Sequence, residues 1–127
     1  MIKLTIPQVP ESYNKIAHWH WAEKRDYNNL WCDEVTSSLW DWRHALNRDK
    51  QEKRMPFPKA KIEFYIYFSK KHRRDKLNYA SGLKGALDGL KLNGIIYDDN
   101  WERIDDSYYS RIDKKYPRTE IEIREIQ

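Results

Sequence analysis

The chain is organised around residues 73–106, which read RRDKLNYASGLKGALDGLKLNGIIYDDNWERIDD. The four glycines of the protein all lie in this stretch, at Gly82, Gly85, Gly89 and Gly94. Acidic residues flank its apolar middle, with Asp75 on one side and Asp98 and Asp99 on the other. A basic run formed by Lys70, Lys71, Arg73 and Arg74 begins just upstream. The stretch thus predicts a central helix with charged groups at both ends.

Residues 79–92 predict one amphipathic helix, because their apolar side chains recur at the 3.6-residue period. The apolar stripe contains Tyr79, Leu83, Ala86, Leu87 and Leu90. Gly82, Gly85 and Gly89 lie on another face, and each costs a helix about 1 kcal/mol relative to alanine. We therefore expect a strand or a phosphate backbone to approach this glycine face closely.

The end of this helix turns the chain back towards its start. Gly94 predicts a left-handed C-cap, and residues 95–97 predict a short buried strand or turn that leads to Asp99. Asp75 precedes the helix and Lys84 lies part-way along it. The spacing therefore allows Asp75, Lys84 and Asp99 to converge on one site.

The same residues also have a purely structural interpretation. Asp75 can stabilise a helix N-terminus through the helix dipole, and residues 98–100 (Asp-Asp-Asn) can form a turn. Lys84 and Asp88 are four positions apart, a spacing that suits a surface ion pair. The residue types alone leave both interpretations open.

A resemblance to a known family favours the functional interpretation. The pattern RRD-x-x-N, then K-x-x-x-D-G-L, then G-x-x-x-D-D resembles the signature of the RusA-type crossover-junction endodeoxyribonucleases, Holliday junction resolvases common in prophages. The opening strand IKLTIP, followed by Ser12-x-Asn14 and a basic helix, is also similar to that family. The resemblance implies a Mg²⁺-dependent homodimer that cuts Holliday junctions or related branched DNA in recombination and repair.

The resemblance also implies roles for individual residues. Asp75, Lys84 and Asp99 would be catalytic, and Asp75 and Asp99, with Asp98 beside them, would bind Mg²⁺ or Mn²⁺. Mg²⁺ takes oxygen ligands and keeps several waters, so one or two carboxylates suffice to hold it. Asn78 matches the asparagine of the family pattern and would contact DNA. By their charge, basic residues would hold the DNA backbone: Lys15, Lys70, Lys71, Arg73 and Arg74.

The chain departs from the family pattern at two places. Leu77 stands where the family has a second aspartate, and the gap from Asn78 to Lys84 is longer by about one helical turn. Residues i and i+2 of an extended segment point to the same side, so we expect Asp75 and Leu77 both to face the metal. The alternative function is a catalytically impaired branched-DNA-binding protein of the same fold, with Leu77 as the cause.

Composition limits the remaining possibilities. The formal net charge of +4 permits a polyanionic partner but does not establish one. The single cysteine, Cys32, excludes an intrachain disulfide and a zinc site built from cysteines. No apolar run reaches the roughly 18 residues of a membrane span, and the N-terminus lacks the apolar core of a signal peptide. We therefore expect a soluble, cytoplasmic protein with no membrane partner.

The order of predicted elements is β-α-β-α-β-β over a single domain, residues 1–127. Residues 2–6 and 61–68 predict strands, residues 107–113 and 119–126 predict two more strands as an antiparallel pair, and residues 47–58 predict a charged loop. A long helix over residues 22–46 has the apolar stripe Tyr27, Trp31, Val35, Leu39, Trp42 and Leu46.

This order of elements predicts an α+β fold, a RusA-like mixed sheet covered on one face by two main helices. The other face, rich in tyrosine, would suit a homodimer.

Overall fold

The computed structural model describes residues 1–45 and 55–126. Its strands are β1 (Ile2–Ile6), β2 (Ala60–Phe68), β3 (Ile104–Ile112) and β4 (Arg118–Glu125). Its helices are α1 (Tyr13–Ile16), α2 (Trp21–His44), α3 (Lys76–Ala80) and α4 (Lys84–Leu92), with a 3₁₀ turn at Ser81–Leu83. The predicted α+β fold is confirmed. Leu46 and most of the predicted loop at 47–58 lie outside the described residues.

The four strands form one mixed sheet in the order β1-β4-β2-β3. Strand β2 pairs in parallel with β3 and antiparallel with β4, and β4 pairs antiparallel with β1. The prediction that the last two strands pair with each other is wrong, because β2 lies between them. The helical crossover after β2 places β3 parallel to β2 at one edge of the sheet, and β4 pairs with the other side of β2, between β2 and the edge strand β1.

One face of the sheet is buried in the same core as α2 and α4. Alternate residues of β1, β2 and β4 lie in this core, among them Ile2, Leu4, Ile62, Phe64, Ile121 and Ile123, whereas β3 contributes only Ile104, with Tyr108 packed against it. From α2 the core receives Trp31, Val35, Leu39 and Trp42, with Tyr27 packed against its edge. The predicted stripe of α2 is therefore confirmed for its described residues.

The predicted single helix is in fact three consecutive segments. It begins earlier than predicted, as α3, and the 3₁₀ turn separates α3 from α4. Leu83, at the end of that turn, is fully buried. Gly94 has φ of +72°, so the predicted left-handed cap is confirmed. Ile95 and Ile96 are buried, but Tyr97, which was also predicted to be buried, is 52% exposed.

The glycine face of α4 contacts another helix. A Cβ added to Gly85 would lie 2.4 Å from the carbonyl oxygen of Asn28, and one added to Gly89 would lie 3.0 Å from Cβ of Val35. Both partners belong to α2, so the expected approach of a strand or a phosphate backbone is wrong. The missing side chains of Gly85 and Gly89 let α4 pack directly on α2.

The opposite face of the sheet carries tyrosine and charged residues. The rings of Tyr65 and Tyr109 stack with centroids 5.1 Å apart, and the Arg118 guanidinium lies 3.8 Å from the ring centroid of Tyr67. Glu120 accepts a 2.8 Å hydrogen bond from Arg118 Nε. Among the residues that the structure describes, this polar face stays half-buried to exposed, which agrees with the predicted uncovered face. In the part of the chain that the structure describes, no helix has the length and apolarity needed to cross a bilayer.

Candidate active site

The basic run lies in the loop that follows β2. Lys70, Lys71 and Arg73 are exposed. Arg74 is half-buried, with its guanidinium 3.8 Å from the ring centroid of Phe68 and its Nη1 donating a 2.9 Å hydrogen bond to the carbonyl of Lys70. Arg74 therefore stabilises the loop, and the three exposed side chains are the ones available to a polyanion.

Asp75 caps the N-terminus of α3. Its Oδ1 accepts a 3.1 Å hydrogen bond from the backbone N–H of Leu77, the second residue of that helix. The expectation that these two residues share an extended segment is wrong, since the helix begins directly after Asp75. Leu77 is 74% exposed, and Asp75, Leu77 and Asn78 all line one surface hollow. Residue 77 thus borders the same hollow as Asp75.

Asn78 connects α3 to the N-terminal part of the chain. Its Oδ1 accepts a 3.1 Å hydrogen bond from the backbone N–H of Asn14 in α1, and Asn14 lines the same hollow. Lys15, the next residue, forms a 3.0 Å ion pair with Glu11 and lies 5.9 Å from the ring centroid of Trp19. The Asn78 amide oxygen therefore has a structural partner, and Lys15 stands at the edge of this region.

Lys84 lies between two aspartates. Its Nζ is 3.4 Å from Oδ2 of Asp99 and 3.5 Å from Oδ1 of Asp88. Burial acts to lower the pKa of the Lys84 ammonium, but the charges and hydrogen bonds of Asp88 and Asp99 outweigh it and raise that pKa above its ordinary value. Lys84 is thus a permanent positive charge at neutral pH, suited to electrostatic stabilisation and not to proton abstraction.

Asp98 shapes the turn that carries Asp99. Its Oδ1 accepts a 2.8 Å hydrogen bond from the backbone N–H of Asp99 and lies 3.6 Å from Nζ of Lys91. The N–H of Asp99, with help from Lys91, holds the pKa of the Asp98 carboxyl below its usual range. Asp98 is therefore ionised and takes the turn-forming role that the structural interpretation expected.

Lys84 and Asp99 are in contact, as the sequence predicted, but neither of them contacts Asp75 through a hydrogen bond or an ion pair among the described residues. The described residues also contain no group of three or more His, Cys, Asp or Glu side chains placed to hold a metal ion. Asp88 and Asp99 both contact the ammonium of Lys84, so these two carboxylates meet at the same point of the surface.

Trp101, which no sequence pattern identified, follows the aspartate pair and lines the same hollow as Asp99. No periodic pattern could have identified it, because its exposure depends on how the turn is folded.

No family model matches the chain, and no curated protein matches it. The resemblance to the RusA-type enzymes accordingly rests on the residues quoted above.

Proposed function

We propose that this protein is a cytoplasmic, Mg²⁺-dependent endodeoxyribonuclease that cuts Holliday junctions or related branched DNA by phosphodiester hydrolysis. The supporting observation is that Lys84, Asp88 and Asp99 meet, although Asp99 lies on a different segment from the other two. These are residues of the pattern that resembles the RusA-type signature. An exposed basic loop precedes that pattern in the chain.

The chemistry follows from the charges of the site. The chemistry that Mg²⁺, or Mn²⁺ in its place, would supply here is polarisation of a phosphoryl oxygen and a lower pKa for the attacking water. Asp99 would hold this cation with Asp88 or Asp98, and Asp75 is the further ligand that the resemblance implies. Lys84 would stabilise the negative charge that develops on the phosphate during cleavage.

The DNA backbone would be held by basic residues outside this cluster. Lys70, Lys71 and Arg73 project from the loop after β2, and Lys15 lies beside the Asn14–Asn78 contact. Each phosphate that they neutralise releases counterions, so binding should weaken as salt increases. A homodimer formed through the tyrosine-rich face of the sheet would give the protein the two-fold symmetry of a four-way junction.

A second candidate function is binding of branched DNA without cleavage. The observation that favours it is Leu77, an exposed side chain at the position where the resembled family has a carboxylate. With leucine here, the hollow around Asp75 has one acidic group fewer than the pattern of the resembled family would place there. Such a protein would bind junctions equally well with EDTA and with Mg²⁺.

A cleavage assay on a synthetic four-way junction separates these functions. The junction is incubated with protein in Mg²⁺, in Mn²⁺ and in EDTA, and a linear duplex made from the same sequences serves as the control substrate. The proposed nuclease nicks the junction in either metal, leaves the duplex intact and is inactive in EDTA. Binding without product in all conditions supports the second candidate, and absence of junction binding contradicts both.

Replacing Lys84 by alanine should lower the cleavage rate by more than tenfold with only a modest loss of junction affinity, because the ammonium acts on the reacting phosphate. Single-turnover rates and Kd values measured on the same junction separate the two effects. Lys91→Ala is the matched control: Lys91 lies on the same helix and also contacts an aspartate of the turn, Asp98. If Lys84→Ala weakens binding but cleaves normally once bound, Lys84 holds only the DNA backbone.

Replacing Leu77 by aspartate should lower the Mg²⁺ concentration needed for half-maximal cleavage by roughly tenfold, the scale on which ligand surroundings alter metal affinity. The wild type should need Mg²⁺ on the order of millimolar or prefer Mn²⁺, since its cation keeps more water. The side chain is exposed, so the variant should fold normally.

The measurement is a metal titration of junction cleavage, with thermal melts to verify folding. Leu30→Asp, which changes an exposed leucine on α2, provides the control. A folded Leu77→Asp protein with the metal requirement of the wild type would show that residue 77 takes no part in metal binding.

A further inference from the structure

Trp101 is the most exposed large hydrophobic residue in the described part of the chain, at 94% of its full accessible surface. Trp31 and Trp42 are buried in the core, and the exposed Trp40 is stacked on His44 with ring centroids 4.0 Å apart. Leaving an indole in water forgoes the burial of a large apolar area. A partner that covers the Trp101 ring would therefore gain that burial on binding.

The turn that carries Trp101 is held by hydrogen bonds on both sides of the residue. The carbonyl of Asn100 accepts 3.0 Å bonds from the backbone N–H groups of Arg103 and Ile104, and Asn100 Oδ1 accepts a 3.0 Å bond from the N–H of Glu102. The carboxylate of Asp98 accepts further bonds from the N–H of Asp99 and from the Asn100 side chain. The backbone thus presents the indole in a defined position next to Asp99.

Trp101 lines two surface hollows. Asp99, Asn100, Trp101 and Glu102 line the first, which contains the carboxylate that contacts Lys84. Lys59, Trp101, Ile104, Asp105, Asp106 and Ile126 line the second. Trp101 therefore borders both hollows, and a ring that lies against it from the first hollow shares that hollow with Asp99, which contacts Lys84.

The acidic residues around Trp101 determine which part of a nucleic acid can bind there. Glu102 is exposed, Asp106 accepts a hydrogen bond from Tyr108, and Asp105 is paired with Lys61. Lys59 also lines the second hollow, but the first hollow is lined by the carboxylates of Asp99 and Glu102 and, in the described part of the chain, by no basic residue, so a phosphate in that hollow would be repelled. A nucleobase is uncharged and planar, and it stacks on an aromatic ring whatever its sequence.

We infer that Trp101 is a stacking site for one unpaired nucleobase, which it holds beside the Lys84–Asp99 pair. The inference rests on the proposed function for the kind of polymer that supplies the base: a branched DNA, whose branch point can release a base from its stack. In that setting Trp101 determines specificity, because a continuous duplex keeps its bases stacked and offers none to the indole.

The test uses four-way junctions that carry 2-aminopurine, a fluorescent base, either at the branch point or within one arm. Binding is followed in EDTA by fluorescence and by affinity, and cleavage is followed separately with Mg²⁺. The proteins compared are the wild type, Trp101→Ala, Trp101→Phe and the control Trp40→Ala, which removes an exposed indole from α2. Thermal melts check that each variant is folded.

Wild type and Trp40→Ala should change the fluorescence of the branch-point probe and leave the probe within the arm unchanged. Trp101→Ala should lose that change and bind the junction roughly tenfold more weakly, the scale expected for loss of one base stack. Trp101→Phe should restore part of both effects, because a smaller ring still stacks. Binding of a linear duplex should be the same for all four proteins.

The outcomes keep this inference distinct from the proposed function. If the wild type cuts junctions and Trp101→Ala binds and cuts them equally well, the nuclease assignment stands and the stacking site is overturned. If the wild type cuts nothing but changes the probe fluorescence through Trp101, the stacking site stands and the proposed catalysis fails. A wild type that leaves the branch-point probe unchanged overturns the stacking site, whatever it cleaves.

Discussion

Replacing Asp99 by asparagine should abolish junction cleavage while junction binding stays intact or becomes tighter. The carboxylate contacts Lys84 at 3.4 Å and is the one we assign to the cation. Asparagine keeps the size of the side chain but removes its charge, so loss of charge stabilisation should slow cleavage by at least about 10²–10³-fold, which leaves no product detectable on the time scale of the wild-type reaction. Removing a negative charge beside a bound phosphate should not weaken binding.

The assay compares single-turnover cleavage with junction affinity, both measured for the same preparation of folded protein. Asp75→Asn should have the same effect, since the resemblance makes Asp75 the other metal ligand, and Asp98→Asn a smaller one. Asp41→Asn, an exposed aspartate on α2, is the control for a change of net charge. Near-normal turnover in Asp99→Asn or Asp75→Asn would remove that residue from the site.

Replacing Gly85 by alanine should destabilise the fold by about 3 kcal/mol, because overpacking against atoms that cannot move aside is costly. The new Cβ would lie 2.4 Å from the Asn28 carbonyl oxygen and 2.9 Å from Asn28 Cα. Alanine is the better helix former by about 1 kcal/mol, so a loss of stability would come from the clash with α2 and not from helix propensity.

Urea unfolding and thermal melts measure this loss, and a drop in Tm of roughly 10 °C corresponds to it for a domain of this size. Gly94→Ala is the control, because its Cβ would meet no atom within 4 Å and its cost comes only from the positive φ. Gly94→Ala should therefore cost less than Gly85→Ala. An unchanged Tm for Gly85→Ala would mean that α4 does not pack on α2 as closely as described.

Local patterns in the sequence determined the features that depend on neighbours along the chain. The spacing of Trp31, Val35 and Leu39 predicted both the existence of α2 and the face that it buries. The alternation in residues 61–68 predicted β2, and Gly94 predicted the end of α4. These predictions succeeded because hydrophobic period and allowed φ are properties of short segments.

Contacts between distant segments were decided only by the tertiary structure. Strand β4 shows the same alternation whichever strand it joins, so its sequence could not reveal that β2 separates it from β3. The glycines predicted a close approach, but a glycine face identifies no partner, and the partner is α2. The contact between Lys84 and Asp99 was within reach of the sequence, since both lie in the 73–106 stretch. The exposure of Trp101 and the helical position of Leu77 were not, because each depends on where a turn ends or a helix begins in the folded chain.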